Sequence, residues 1–257
     1  MNPPFMVLED AGPIVATAIH AGHGLRPETA QRIALDEEVR LREEDPYTEL
    51  LTEVSSFRVA VDRSRFEVDL NRPREEAIYL RPEQAWGLRV WQAPLPQDVV
   101  ETSLGIYDWF YHDMAQRLDA LAATTPFVVL DIHSYNHRRD GADHPPSDPA
   151  GNPDVNIGTG PLDRPPWASL IDRFAEDLRQ ALPATATVDE NVRFKGGHFS
   201  QWIDERYDGR GCALALEFKK TFMDEWTGEV DLARIDRLRE ALAATMPGMV
   251  SELQARR

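Results

Sequence analysis

Phe127-Val128-Val129-Leu130-Asp131-Ile132-His133-Ser134 is the stretch that decides the fold. Four apolar residues in unbroken succession do not alternate, so the strand they form has no face for water. It must be covered on both sides, as in the parallel sheets of α/β proteins. The run ends on an acid and an imidazole two residues apart. In open α/β sheets functional groups gather at the carboxyl ends of strands, which makes this end a candidate site.

The flanking sequence repeats the pattern. Pro13–Ile19 is a second apolar, β-branched run, and it stops abruptly at His20-Ala21-Gly22-His23. Cys212–Phe218 is a third, with the acid Glu217 inside it. Phe57–Val61 and Phe66–Val68 read as strands around the charged stretch Asp62–Arg65, and Asp154–Ile157 as a short polar one. Helical patterns cover 27–30, 97–123, 166–182 and 231–254. The long second one carries Val100, Leu104, Tyr107, Phe110 and Met114 on one face. This alternation predicts an α/β fold with a largely parallel sheet covered by helices on both faces. No linker or internal repeat divides residues 1–257, so one domain is expected. The segment 138–166, rich in Pro, Gly and Asp, is expected to be a loop, as a lid or active-site wall.

Composition bounds the partners. The chain has 257 residues, with 28 Lys+Arg against 44 Asp+Glu, giving 28 − 44 = −16. So acidic a surface repels nucleic acid and anionic membranes. The opening MNPPFMVLEDAGP lacks the basic and apolar regions of a signal peptide, and no apolar run is long enough to span a bilayer. The single cysteine, Cys212, has no internal disulfide partner, which favours a reducing, cytoplasmic setting. Oligomeric state is not readable from the sequence.

Three strand ends carry the chemistry: His20, Asp131-x-His133 and Glu217. Two imidazoles and a carboxylate suit zinc, with water in a fourth position. The third ligand stays open between His23 and the carboxylates of Arg42-Glu43-Glu44-Asp45-Pro46-Tyr47, the latter equally readable as a solvated acidic turn. Asp131 either orients His133 or caps a turn, although side chains two apart on an extended segment do not readily meet. Glu217 inside an apolar strand is costly without a partner or role. Beside an activated water it can act as general base; otherwise Lys219, two residues on, is the expected partner over Lys220. Arg63, Arg65, Arg72 and Arg74 form a dense basic group in an acidic chain. They suggest an anionic substrate, with surface salt bridges the plainer reading, above all for Arg74.

Taken together, these residues resemble the N-formylglutamate amidohydrolase family. The resemblance rests on the strand ending in His20-Ala21-Gly22, on Ser64-Arg65-x-x-x-Asp69-Leu70-Asn71-Arg72-Pro73 and on Asp131-Ile132-His133-Ser134. Tyr111-His112, Asn156-Ile157-Gly158-Thr159, Arg193-Phe194-Lys195-Gly196-Gly197 and Leu216-Glu217-x-x-x-x-Met223-Asp224-Glu225 agree with it. The match runs in order from about Ile14 to about Glu225. It implies a zinc-carboxypeptidase-like fold: one α/β domain around a mixed, mostly parallel sheet. It further implies one divalent metal, zinc by first choice, on His20, Asp45 and His133, with Asp45 preferred to Glu44 and His23. Glu217 would be the general base, Arg65 a carboxylate or oxyanion contact, and Asn71 with Arg72 the clamp on the substrate carboxylate. The implied partner is a small anionic amino-acid derivative, by default N-formyl-L-glutamate, cleaved to formate and L-glutamate. A carboxypeptidase or another N-acyl-amino-acid deacylase is the alternative. A non-catalytic binding protein is disfavoured by the joint presence of His20, His133 and Glu217. The pocket should be locally positive despite the net charge of −16.

Overall fold

The computed structural model describes residues 5–8 and 12–256; part of the opening segment read above for a signal peptide, residues 1–4 and 9–11, lies outside them, as does residue 257. In chain order the elements are β1 (Phe5–Leu8), β2 (Ile14–Ala18), α1 (Pro27–Ala30), α2 (Glu37–Glu43), α3 (Thr48–Leu51), β3 (Phe57–Val61), α4 (Gln97–Ala122), β4 (Phe127–Tyr135), β5 (Val155–Gly158), α5 (Arg164–Ala181), β6 (Val188–Glu190), α6 (His198–Arg206), β7 (Gly211–Lys219) and α7 (Leu232–Gln254). They form a single α/β domain around one seven-stranded mixed sheet in the order β1-β3-β2-β4-β7-β5-β6. The pairs β3–β2, β2–β4, β4–β7 and β5–β6 are parallel, while β1–β3 and β7–β5 are antiparallel.

The unbroken apolar strand behaves as its composition requires. Along β4, Val128, Leu130 and Ile132 face one core with Cys212, Leu214 and Leu216 of β7. Phe127 and Val129 face the opposite core. The first core is closed by α5 and α7 through Trp167, Phe174, Leu242 and Met249. The second is closed by α4 and α6 through Phe110, Met114, Phe199 and Ile203. Both faces of the central strands are thus dry, and removal of this apolar area from water is the main drive for folding. No helix among the described residues is long and apolar enough to cross a membrane.

One local expectation needs correction. Phe66–Val68 is a turn, not a strand. Ser64 starts it: its carbonyl accepts from the Glu67 and Val68 amides, and its hydroxyl from the Phe66 amide. Serine offers the backbone this local alternative to a sheet ladder, and Phe66, Val68 and Leu70 still reach the core from the turn. Within the largely irregular segment 138–166, the strand read at Asp154–Ile157 is β5, and α5 starts at Arg164, two residues before the expected Pro166.

Candidate functional site

Sheet register builds the site. On parallel neighbours β4 and β7, His133 lies beside Glu217 and Asp131 beside Ala215. On the other side of β7, Asn156 of β5 lies beside Glu217. His133 and Asp131 share a face of the strand, and Ala213 and Ala215 leave room there on β7. His20 arrives from the turn after β2, the strand on the opposite side of β4. That turn packs against the end of β3, with the Gly24 amide donating to the Asp62 carbonyl. A side chain on Gly22 would collide with the Asp62 backbone, which is why a glycine follows the His-Ala pair.

Asp45 completes a triad. Its amide donates to the His20 carbonyl at 3.0 Å, tying the loop after α2 to the end of β2. His20, Asp45 and His133 are buried, and one ligand atom from each lies within 4.8 Å of the others. Asp45 Oδ2 is 3.0 Å from His133 Nδ1 and 3.5 Å from His20 Nδ1. The far nitrogens are held by two further buried carboxylates. His20 Nε2 is 2.7 Å from Asp69 Oδ1, and His133 Nε2 is 3.2 Å from Asp131 Oδ2. A carboxylate behind each imidazole fixes ring orientation and raises ligand basicity, the usual surrounding of a histidine metal site. Nδ1 of both rings and an Asp45 oxygen are therefore the atoms that could hold a cation.

Of the two readings of Asp131, the geometry favours the one in which it orients His133, through a contact that residues two apart on a strand do not readily make. Asp131 is held by the hydroxyls of Thr17 at 3.1 Å and Ser200 at 3.2 Å, and from there it reaches the ring edge. Asp69, central to the Asp-Leu-Asn-Arg-Pro motif, accepts from Arg65 at 2.8 Å, from the Asn71 amide at 2.8 Å and from the Tyr79 hydroxyl. Burial alone would raise the Asp45 carboxyl. Hydrogen bonds to His133 and His20 and the charge of Lys220 instead bring it well below the ordinary range. His133 moves the other way: burial disfavours its charge, but Asp131 and Asp45 outweigh that and raise it. Protons and a divalent cation would thus compete for this ring.

The other ligand candidates are engaged elsewhere. Glu44 accepts from the Ser64 hydroxyl and pairs with His23 Nδ1, while His23 Nε2 contacts Arg40 at 2.9 Å. Glu217 lines the cavity. Lys219, its expected partner, bonds Asp154 at 3.2 Å instead, and Lys220 donates to the carbonyls of Arg42 and Glu44. Glu217 makes no hydrogen bond or ion pair with the described residues. Burial, reinforced by Asp45 and Asp131 against His133 and Arg65, pushes its carboxyl up to about 7.

The basic group divides. Arg74 forms a two-pronged bridge to Asp108 on the exposed side of α4, and Arg63 turns toward Asp62. Arg65 and Arg72 line a cavity of about 280 Å³ together with the triad. Arg65 is fixed by Asp69 and lies 4.9 Å over the Trp86 ring. Arg72 makes no hydrogen bond or ion pair with the described residues through its side chain. Its backbone is braced by α4, where Tyr107 donates to the Arg72 carbonyl at 3.1 Å and Tyr111, one turn on, to the Leu70 carbonyl at 2.7 Å. Asn71 Oδ1 accepts from the Phe199 amide at 3.0 Å, leaving Nδ2 3.5 Å from His133 Nε2. Five cations (Arg65, Arg72, Arg139, Lys195, Lys220) face three acids (Glu43, Asp45, Glu217), so the lining is positive inside an acidic protein. From the 138–166 segment Arg139 reaches this wall.

Residues 12–223 match the family model described as N-formylglutamate amidohydrolase. Among solved structures, N-formylglutamate amidohydrolase from Ralstonia eutropha JMP134 superposes with a TM-score of 0.77 at 16% identity, covering 98% of this chain and 99% of that one. A gene product of Agrobacterium tumefaciens superposes at 0.64 with 18% identity, covering 98% and 94%. A metallo-carboxypeptidase from Burkholderia cenocepacia reaches 0.37 at 16% identity over 94% of this chain and 57% of that one, a likeness too slight to carry an argument. No curated protein sequence matches the chain.

Proposed function

The chain belongs to the N-formylglutamate amidohydrolase family, and on that premise we propose that it is a metal-dependent hydrolase of N-formyl-L-glutamate, yielding formate and L-glutamate. The observation that carries this reading is the meeting, in one cavity, of a two-imidazole, one-carboxylate donor set with an unpaired acid and an unpaired guanidinium. The donor set fits a small divalent cation, zinc above the alternatives. Its atoms are close and buried, and each imidazole is backed by its own carboxylate.

A divalent ion held by His20, Asp45 and His133 supplies Lewis acidity and makes water a better nucleophile near neutral pH. Arg72 binds a substrate carboxylate through its free guanidinium, with Asn71 Nδ2 as a second donor, and so sets the amide carbonyl over the site. Glu217 takes a proton from the attacking water and returns it to the departing amine nitrogen. A carboxyl raised by burial suits both halves of that task. Arg65, immobilised by Asp69 and Trp86, lends positive charge to the oxygen that becomes anionic during attack.

The test is a kinetic screen of the metal-loaded protein on N-formyl and N-acetyl amino acids and on dipeptides. N-formyl-L-glutamate should give the highest kcat/KM. Preferred cleavage of dipeptides would replace this reading with a carboxypeptidase, and preferred cleavage of N-acetyl substrates with a different deacylase.

A further inference from the structure

The cations lining the cavity are not equivalent. Arg65 is bound to Asp69, Lys220 to two backbone carbonyls, and Arg139 pairs with Glu43 at 3.5 Å. Arg72 and Lys195 are the two whose side chains make no hydrogen bond or ion pair with the described residues. One free guanidinium accounts for one substrate carboxylate. Lys195 is a second uncommitted cation on the cavity lining, exposed where Arg72 is half-buried.

Lys195 is also placed deliberately by its backbone. It sits in the Arg193-Phe194-Lys195-Gly196-Gly197 segment between β6 and α6. The Asn156 side chain, on the strand position beside Glu217, accepts from the Arg193 amide at 2.8 Å and donates to the Phe194 carbonyl at 2.8 Å. The Gly160 amide donates to the Lys195 carbonyl at 2.7 Å. Gly158 and Gly160 lie so close beneath that a side chain on either would strike Lys195 or its neighbours. Gly196 has φ of +112°, and a side chain on Gly197 would run into the Asn71 amide. The backbone is thus clamped from three sides, while Lys195, an exposed residue, lines the cavity that Asn71 and Arg72 also line. A fixed stem with a free charge is what a ligand contact requires.

We propose that Lys195 is a specificity-determining residue that reads a second, side-chain carboxylate, so that the pocket selects N-acylated dicarboxylic amino acids over neutral ones. The inference rests on the amidohydrolase reading above and adds the residue that separates a glutamate from a glutamine side chain. The neutral amide of glutamine would leave the ammonium unpaired against a group that cannot balance its charge.

Two measurements on the metal-loaded wild type, Lys195→Met and Lys195→Arg test it. The first is the ratio of kcat/KM for N-formyl-L-glutamate over N-formyl-L-glutamine. It should fall on the order of ten- to a hundredfold in Lys195→Met, the scale of a charge-assisted hydrogen bond, and recover in Lys195→Arg. An unchanged ratio in Lys195→Met overturns the proposal. The second is calorimetric binding of glutarate against butyrate, which needs no turnover. Weaker glutarate binding in Lys195→Met, with butyrate unaffected, supports the second-carboxylate contact even if no substrate is cleaved. In that case the amidohydrolase reading fails and the dicarboxylate site stands. Equal glutarate binding by wild type and Lys195→Met overturns the site itself.

Discussion

Glu217 and Asp131 illustrate how a residue's role is set by what its neighbours leave it. Glu217 lines the cavity without a partner among the described residues, and the lysines that follow it are bound elsewhere. Replacement by Gln keeps shape and removes the proposed base. Metal content of Glu217→Gln should equal that of the wild type, with kcat reduced about 10²- to 10⁴-fold, read by metal analysis and steady-state kinetics. Its raised carboxyl also has a signed consequence. A base pushed up to about 7 is protonated below that pH, so kcat/KM should fall as pH drops through an acid limb. A bound cation's positive charge moves that limb below 7, and the limb should be absent in Glu217→Gln. Asp131 acts one step back, by holding His133 at 3.2 Å. Asp131→Asn should weaken zinc binding about 10- to 100-fold in a chelator competition, with the fold intact.

At the scale of elements, α6 links the site to the core. Its first turn is tied to Asn71, whose Oδ1 receives the Phe199 amide, and Gly197 must lack a side chain for that contact to exist. Gly197→Ala should therefore raise KM through a displaced Asn71-Arg72 pair. It should also cost about 1–3 kcal/mol of stability as an overpacked site, measured by denaturant unfolding. Near the other end of α6, Asp204 accepts from the Ala213 amide at 2.9 Å while its second oxygen is buried without a partner among the described residues. Burial pushes this carboxyl up to about 7. Between the ordinary aspartate value and 7 the folded chain holds a proton that the unfolded chain has lost, so stability from this group declines as pH rises through that window. Asp204→Asn mimics the protonated acid. The difference in Tm between pH 5 and pH 8 should be smaller for this variant than for the wild type.

For the whole molecule, the triad joins β2, β4 and the loop after α2, so a bound cation staples three separate parts of the chain. A ligand that binds the folded state alone raises stability with its concentration. Added zinc should raise Tm in a concentration-dependent way, a chelator should reverse it, and His133→Ala should abolish the response. A Tm indifferent to zinc in the wild type would contradict a metal site in this cluster.

Much of this was legible in the sequence because it follows from local pattern. Apolar runs without alternation can only be strands covered on both faces, and that determined the α/β sheet and placed His20, His133 and Glu217 at strand ends. The ordered motifs carried the family. What the tertiary structure decided depended on contacts between distant segments. Asp45 was separated from Glu44 and His23 because those two satisfy each other, and Arg72 from Arg63 and Arg74 because the latter find Asp62 and Asp108. The carboxylates behind the histidines were not settled by local pattern, for different reasons. Asp69 lies 49 residues from His20, while Asp131 meets His133 only once Thr17 and Ser200 hold its oxygens in place. Sequence pattern records where a side chain must avoid water. Which charges are left unpaired after folding is a property of three-dimensional neighbours, and in this protein those unpaired groups make the site.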